Sequence, residues 1–399
     1  MRRTPAGTLI IFTLVFLTLA CAPARSPDAG QEGARQTQPR PDWERAFTRK
    51  SGWTGGDVAA SFIIPGNRVL WFFGDSLIAK VKDGRRTGTV LVNNSIAVHP
   101  YDTEAPARAP RPEGVRFLWG KDDGEHSAWI DPDEDDDAWY WPAGGGAVVP
   151  GDDGDKLVLF LVRIEKTGGK GAWAFRCAGS AIAVIENVED PADNWKQKVT
   201  PLPHRAIIQK DGARRTVETD WGASALPWSF GKKDMLLIYG LYSDKPGLED
   251  LVLARATYGQ ADDFDEWQFL DDDGQWAGAP EGADLLVKGL PSEVSINRTG
   301  TGLLMVYSEP LFGDRIFART ATSPGGPWSD AAELYRVPDV SGDDDLFTYA
   351  ARGHPHLSRS GRLLVTYIVN THELAGLADA SIYRPRFLSV PMPEQHCSR

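Results

Sequence analysis

Short apolar stretches separated by polar turns run along the chain from residue 42 onward, and no long stretch there has the spacing of an amphipathic helix. One pattern recurs, in which a polar turn is followed at once by a dense apolar run. These runs occupy residues 69–73, 157–162, 235–239, 303–307 and 363–369. An apolar run of this length directly after turn residues predicts a buried β-strand.

Each buried strand has the same kinds of neighbour. The strands before it are rich in small residues and are predicted at 58–64, 146–149, 223–228, 294–297 and 354–357. The strands after it alternate between apolar and polar residues and are predicted at 95–99, 180–185, 251–257, 316–322 and 386–390. Repeated antiparallel units of this size are typical of propeller blades. We therefore predict an all-β fold, a five-bladed β-propeller, with a β-sandwich or two small β domains as the alternative.

The first 41 residues differ in composition from the rest. Arg2 and Arg3 precede an apolar stretch at 9–20, which at 12 residues is shorter than the ~20 that a membrane span needs. We interpret residues 1–21 as a signal peptide ending at Cys21, which resembles the lipidated cysteine of a bacterial lipobox. The alternative is ordinary cleavage nearby, with Cys21 incidental. Residues 22–41 are predicted to be a flexible tether and residues 42–399 one propeller domain.

This N-terminus predicts an exported protein: a bacterial cell-envelope lipoprotein on the periplasmic or extracellular face, or a secreted protein. Contact with a membrane is expected only through a lipid at Cys21. The formal net charge of −12 argues against a nucleic-acid partner, because phosphate binding needs a concentrated basic face. The 14 Trp and 41 Gly residues suit a turn-rich β protein. Separately, we expect the protein to be a monomer.

The cysteines give no metal motif. Cys177 and Cys397 either form one disulfide or are a buried thiol and part of a frayed tail. Because the sequence has no CxxC motif and no Cys/His cluster, we predict no metal site. The acidic stretch 131–137 lacks the ligand spacing of an EF-type loop, which favours a solvated loop. No cofactor is expected, although the channel of a propeller has room for Ca²⁺ or another cation.

Residues that enter the first strand of each blade converge on one opening of a propeller. The acidic residues at these positions are Asp57, Asp220 and Glu293. The aromatic or imidazole residues there are Trp53, Trp141, Trp221, Tyr349 and His354. Glycoside hydrolysis needs one protonated carboxyl group and one carboxylate, and a third carboxylate can raise the pKa of the acid. Since aromatic faces can stack on sugars, the three carboxylates are the predicted catalytic residues and the five rings predicted substrate-binding residues.

These positions, with the segments 322–329 and 354–357, resemble the five-bladed propeller glycoside hydrolases: arabinanases, β-xylosidases, invertases and levansucrases. The resemblance implies that Asp57 is the base or nucleophile, Asp220 the pKa modulator and Glu293 the acid. It implies that His354 orients water or a metal at the channel floor. The implied substrate is a polysaccharide or oligosaccharide of the arabinose type or a related glycan.

Two short motifs indicate which branch of these glycoside hydrolases the sequence resembles most. Gly55-Gly56-Asp57 together with Gly74-Asp75-Ser76 is most similar to an uncharacterised bacterial branch, some members of which are associated with D-arabinan cleavage. In that branch the Gly-Asp pair recurs, which implies that Asp75 supports the site and binds substrate.

The sequence also departs from the family pattern. Glu293 is followed by Val294 rather than the Gly common in arabinanases, and the second blade lacks a clear polar ligand. The alternative to a glycosidase is therefore a non-catalytic propeller lipoprotein that binds a glycan or a protein.

Overall fold

The computed structural model describes residues 37–132, 138–169, 174–210, 213–243 and 247–394. The predicted signal peptide with Cys21, most of the predicted tether and Cys397 lie outside these residues, as do residues 133–137 of the acidic stretch. No helix within the described ranges is long and apolar enough to cross a membrane.

The described residues contain five antiparallel sheets in which strands follow one another in chain order. Sheet 1 consists of Ala60–Ile64, Arg68–Phe73, Ser95–Pro100 and Arg116–Leu118. Sheet 2 consists of Ala138–Gly151, Gly154–Lys166, Phe175–Ile185 and Gln197–Leu202. Sheet 4 consists of Val294–Thr299, Gly302–Ser308, Arg315–Ala321 and Ala332–Arg336.

Sheets 3 and 5 depart from this simple form. Sheet 3 consists of Arg205–Lys210, Ala213–Phe230, Lys233–Ser243, Glu249–Thr257, Gln268–Leu270, Trp276–Ala277 and Val287–Leu290. Sheet 5 consists of Leu346–Gly353, Arg362–Thr371, Pro385–Pro391 and, from the other end of the chain, Gln38–Pro39. The Gln38–Pro39 strand pairs with Ser389 and Leu388, so the first and last described strands are neighbours.

Smaller elements lie outside the five sheets. A three-stranded sheet is formed by Ser51–Gly56, Ser76–Lys82 and Arg85–Val92, and a hairpin by Gly120–Asp122 and Glu125–Ser127. One α-helix, Pro41–Ala46, lies within the described residues. The 3-10 turns are Pro112–Gly114, Ala192–Asn194, Tyr258–Gln260, Phe264–Glu266, Pro280–Gly282, Pro355–Leu357 and Leu374–Ala378.

The hydrophobic core lies between adjacent sheets. Within the described residues it forms five clusters, and each joins two neighbouring sheets. In ring order the clusters include Phe72 with Leu159, Phe160 with Ile238, Leu237 with Met305, Val306 with Val365, and Trp71 with Phe387. The last cluster packs sheet 5 against sheet 1. The sheets therefore form a closed ring, and the prediction of an all-β propeller is confirmed.

The strand predictions differ from the structure at one inner strand. The segment 354–357 was expected to open the fifth unit, but it contains the 3-10 turn Pro355–Leu357. Pro355 has no N–H to donate to a sheet and its fixed φ favours the first position of a helical turn. The inner strand of sheet 5 is Leu346–Gly353 instead.

A central cavity of about 300 Å³ lies where the inner strands meet. Its lining comes from the inner strands of sheets 1 to 5 and the turn after the last. The lining residues are 60–63, 144–148, 224–227, 295–297, 352–354 and 356. The channel that the sequence predicts is therefore present, and the ends of the inner strands define its mouth.

Candidate active site

The inner strands are irregular where they reach the mouth of the cavity. The pairing register shifts between Pro142 and Gly146 in sheet 2, between Trp221 and Ser224 in sheet 3, and between Tyr349 and Arg352 in sheet 5. Such bulges bend a strand and redirect its side chains, and they are common beside functional sites. The residues just before these shifts therefore point away from the regular pleat.

In sheet 1, the same end is formed by a strained bend after Asp57. Val58 and Ala59 have φ angles of 60° and 51°, in the left-handed region that β-branched residues rarely adopt. The bend is held by the Ala59 N–H, which donates to the Asp57 carbonyl at 2.7 Å, and by Arg352 Nε, which donates to the Val58 carbonyl at 3.0 Å. Strain of this kind persists only where surrounding contacts enforce it, and it clusters at active sites.

Glycine is required at two positions around Asp57. A Cβ on Gly55 would lie 2.2 Å from the Tyr383 carbonyl oxygen, and a Cβ on Gly74 would lie 2.4 Å from Asp57 Oδ1. Both distances are far below van der Waals contact. Gly74 therefore lets the strand that leads to Asp75 approach the Asp57 carboxyl group directly.

Two tyrosines hold the Asp57 carboxyl group. Tyr349 Oη donates to Asp57 Oδ2 at 2.7 Å and Tyr383 Oη donates to the same oxygen at 3.0 Å. Burial raises the pKa of Asp57 well above its usual value, and the negative charges of Asp75 and Glu293 raise it further. The two hydroxyl donors oppose this shift. Its environment therefore favours the protonated form of Asp57 more than that of an exposed aspartate would.

Asp75 has a different environment. Trp141 Nε1 donates to Asp75 Oδ1 at 2.6 Å and Asn93 Nδ2 donates to the same oxygen at 3.3 Å. Burial raises the pKa of Asp75 to about 6, while these two hydrogen bonds lower it. Asp75 is therefore largely ionised at neutral pH, beside an Asp57 that holds its proton more tightly.

Glu293 is paired with a buried arginine. Arg352 Nη2 lies 3.3 Å from Glu293 Oε2, and the arginine side chain is only 2% exposed. Burial raises the pKa of Glu293, and the Arg352 charge lowers it. Arg352 also donates to the Val294 carbonyl at 3.2 Å, and a Cβ on Gly144 would lie 2.2 Å from Arg352 Nη1. The Arg352 guanidinium group thus contacts segments of sheets 1, 2, 4 and 5. We call the neighbouring carboxyl groups of Asp57, Asp75 and Glu293 the acidic cluster.

A protein family described as a domain of unknown function, DUF5005, matches residues 41–392. The chain belongs to the DUF5005 family. The match covers the helix before sheet 1 and every strand of the five sheets except Gln38–Pro39. A search of curated proteins returns no match.

Solved structures similar to this DUF5005 protein include a putative hydrolase from Bacteroides ovatus, with 17% identity, a TM-score of 0.66, and coverage of 89% of this chain and 90% of that one. A GH43 beta-xylosidase/alpha-arabinofuranosidase from a compost microbial metagenome has 10% identity and a TM-score of 0.41, covering 90% and 96%. A levansucrase variant from B. megaterium has 11% identity and a TM-score of 0.45, covering 86% and 84%. The first of these shows a shared fold.

Asp220 of the DUF5005 protein has separate partners from the other two predicted catalytic carboxylates. The Cys177 thiol donates to Asp220 Oδ1 at 2.9 Å. Burial raises the pKa of Asp220, with smaller effects from Cys177, His204 and Glu218. Although the sequence has no Cys/His motif, the fold brings the ligand atoms of Cys177, His204 and Asp220 within 4.8 Å of one another. Their separations of 27 and 16 residues in sequence match no short motif.

Two of the predicted substrate-binding rings belong to the core. Trp53 and Trp221 are each 1% exposed. Trp53 stacks on Phe117 at a centroid distance of 4.4 Å, and Trp221 packs edge-on against Trp267 at 5.6 Å. Neither ring has a free face, which corrects the prediction that they contact a sugar. Trp141 and Tyr349, in contrast, hydrogen-bond directly to the acidic cluster.

His354 lies inside the cavity rather than among the carboxylates. Its Nδ1 is 2.6 Å from Ser61 Oγ and its Nε2 is 2.8 Å from Thr366 Oγ1, while His356 Nε2 is 3.0 Å from the same serine oxygen. Burial lowers the pKa of His354 well below its usual value, and the charge of Arg352 adds to the effect. A neutral histidine in this network can orient polar groups in the channel.

The sequence analysis did not assign a role to three residues that hydrogen-bond to the acidic cluster. Arg352 lies between Tyr349 and His354 in a segment that the sequence places at the mouth, so its position was a usable signal. Asn93 precedes a predicted strand and had no motif. Tyr383 reaches Asp57 from 326 residues away in sequence, and no local pattern indicates that contact.

Proposed function

We propose that this DUF5005 protein is a glycoside hydrolase in which Asp57 and Asp75 are the acid and base. The observation that carries this proposal is the pair of buried carboxyl groups whose environments push their pKa values apart. Burial, with the negative charges of Asp75 and Glu293, raises the pKa of Asp57 well above its usual value, whereas two N–H donors to Asp75 oppose the effect of burial there and its pKa is about 6. Such a split is how one site supplies an acid and a base together.

The proposed chemistry follows from these protonation states. The Asp57 proton passes to the glycosidic oxygen as the bond from that oxygen to the anomeric carbon breaks. Asp75 either attacks the anomeric carbon or takes a proton from the attacking water, as in retaining and inverting enzymes respectively. Water supplies the new hydroxyl group in both cases. Glu293, fixed by Arg352, contributes negative charge beside the oxocarbenium-like transition state. This assignment differs from the implied roles of Asp57 as base and Glu293 as acid.

We propose an arabinose-type or related glycan as the substrate. Trp141 and Tyr349 border the acidic cluster through their hydrogen bonds to Asp75 and Asp57. Beyond Tyr349 the loop residues Leu311 and Phe312 are 67% and 46% exposed, and both have left-handed backbone angles. The Phe312 ring lies 6.4 Å from the Tyr349 ring. An exposed aromatic face beside the site gives a sugar ring an apolar surface to stack on.

The test is release of reducing ends from a panel of polysaccharides and oligosaccharides that includes arabinans. Asp57→Asn and Asp75→Asn should each lower kcat by ~100- to 10,000-fold, the contribution typical of a general acid or base. Asp83→Asn is the matched control, because Asp83 lies in an exposed turn. Glycan binding without any product, or full activity in either site variant, would contradict the proposal; the first result would instead support a glycan-binding propeller.

We also propose that the protein is exported and anchored through a lipid on Cys21. The apolar stretch at 9–20 and the cysteine directly after it support this. Cells fed labelled palmitate should label the wild-type protein and the Cys177→Ser variant but not the Cys21→Ser variant. Equal labelling of the Cys21→Ser variant, or no labelling of the wild type, would exclude the anchor.

A further inference from the structure

A second polar cluster lies at the junction of sheets 2 and 3. Cys177 is on the third strand of sheet 2, His204 is in the connection between the sheets, and Asp220 is on the long strand of sheet 3. Cys177 Sγ lies 2.9 Å from Asp220 Oδ1 and 3.9 Å from His204 Nδ1. All three side chains are half-buried. We call Cys177, His204 and Asp220 the thiol cluster.

Hydrogen bonds of the backbone hold His204 and the segment around Asp220 in place. The Thr219 N–H and its hydroxyl group both donate to the His204 carbonyl, at 2.7 Å and 2.9 Å. The Trp221 N–H donates to Ser180 Oγ at 3.0 Å, which fixes the residue on the other side of Asp220. The cluster is thus built from three chain segments whose relative positions are set by hydrogen bonds rather than by the cluster itself.

The donor set suits a metal ion of intermediate softness. Zinc binds thiolate, imidazole and carboxylate ligands at ~2.0–2.3 Å in tetrahedral geometry, so its ligand atoms lie roughly 3.3–3.8 Å apart. The distances of 2.9 Å and 3.9 Å bracket this range, and small side-chain rotations would reach it. Three protein ligands leave one tetrahedral position for water, as in zinc sites that are open to solvent.

The surroundings of the cluster support a cation. His204 Nε2 is buried and has no hydrogen-bond partner, and the nearest acidic atom is Glu218 Oε1 at 3.8 Å. A metal-bound histidine commonly directs its other ring N–H toward a carboxylate, and Glu218 occupies that place. Glu249 is 6% exposed and has one buried carboxylate oxygen without a partner.

We propose that the thiol cluster is a zinc-binding site, with Cys177 Sγ, His204 Nδ1 and Asp220 Oδ1 as ligands and a fourth position open to water. Binding replaces the hydrogen bond from Cys177 to Asp220. The thiol proton is released to solvent as the S–Zn bond forms, so affinity rises with pH. No electron transfer is involved. The site is separate from the contacts of the Asp57–Asp75–Glu293 cluster, and it does not depend on the proposed glycosidase activity.

The test is metal titration of the purified full chain after treatment with a chelator. Zinc should bind with one-to-one stoichiometry in competition with a chromophoric chelator. Cobalt should bind in the same place and produce the near-ultraviolet thiolate-to-cobalt absorption band. Cys177→Ser should abolish that band and weaken zinc binding by more than ~100-fold, and Glu218→Gln should weaken binding by ~10-fold, since partners of metal ligands contribute 10- to 100-fold.

Matched variants keep the test specific. Cys397→Ser removes one thiol and His126→Ala removes one histidine, and both leave all three cluster residues in place. Both should bind zinc as the wild type does. Serine at 177 retains a donor for Asp220, and an unchanged melting temperature without metal would show that the fold is intact. Absence of one-to-one binding in the wild type, or a cobalt–thiolate band that survives Cys177→Ser, would overturn the proposal. If Cys177→Ser does not fold, His204→Ala replaces it: this variant keeps the thiolate but should still weaken zinc binding by more than ~10-fold, and unchanged affinity would overturn the proposal.

Discussion

At the scale of single residues, the acidic cluster shows how one pocket gives similar groups different properties. Asp57 receives two hydroxyl donors but lies close to two other carboxylates. Asp75 receives two N–H donors, and Glu293 has a guanidinium partner. Burial is the largest cause and raises the pKa of all three, and these neighbours add shifts that differ from one group to the next. The pKa of Asp75 is raised to about 6, which is close to neutral pH.

The pH dependence of the proposed activity should therefore report Asp75. With its pKa at about 6, Asp75 becomes protonated below that pH and can no longer act as base or nucleophile. We expect kcat/KM to fall as the pH drops below ~6, because this quantity follows the free enzyme. Trp141→Phe removes a hydrogen bond that lowers the pKa of Asp75. The pH below which kcat/KM falls, the acidic limb of the pH profile, should then move upward by roughly one unit.

Trp139 provides the control for this shift. Its indole nitrogen is buried without a hydrogen-bond partner and does not bond to Asp75. Trp139→Phe should leave the acidic limb where it is, even if it changes stability. An unshifted limb in Trp141→Phe would mean that a different group controls the acidic side of the profile.

At the scale of elements, the sequence predicted the presence of the buried strands better than the bounds of the inner strands. The strand that follows the inner strand in each sheet is buried on both faces, so it is a dense apolar run that composition reveals, as at Arg68–Phe73 and Leu157–Leu161 within Gly154–Lys166. The inner strands are harder because they are short, bulged and rich in small residues. The fifth, Leu346–Gly353, was missed because the strand was predicted at 354–357, where Pro355 begins a 3-10 turn.

The residues of the candidate site also fall into two groups: those that the sequence could indicate and those whose roles depend on distant contacts. Asp57 and Glu293 could be selected because each stands at a blade entrance, whereas Asp75 was indicated only by the resemblance, as a supporting residue. Arg352 and Tyr383 could not be assigned, because their roles depend on contacts across the ring with residues more than fifty positions away. Gly144 and Gly145 had no evident purpose in the sequence. The structure shows that Gly144 admits Arg352, and that a Cβ on Gly145 would lie 2.3 Å from the Gly222 carbonyl oxygen.

At the scale of the whole molecule, the ring is closed by both ends of the described chain. Gln38–Pro39 adds a strand beside Pro385–Pro391, and the Arg40 N–H donates to the Phe387 carbonyl at 2.8 Å. The helix Pro41–Ala46 then places Trp43 and Phe47 in the cluster between sheets 5 and 1. The seam of the propeller is therefore filled by residues from the N-terminal segment, and the acidic cluster spans that seam through Asp57 and Tyr349.

Removing the Trp43 side chain should loosen the closure of the ring and destabilise the whole fold. Trp43 is fully buried and stacks on Phe387 at a centroid distance of 5.5 Å. Trp43→Ala should lower the free energy of unfolding by ~3–5 kcal/mol, the usual cost of truncating a buried aromatic residue. Trp276→Ala is the control: Trp276 is half-buried on an outer strand of sheet 3, away from the seam, and should cost less. Urea unfolding followed by both far-UV circular dichroism and tryptophan fluorescence measures the difference. A Trp43→Ala variant with an unchanged midpoint by both probes would show that the N-terminal segment does not hold the ring closed.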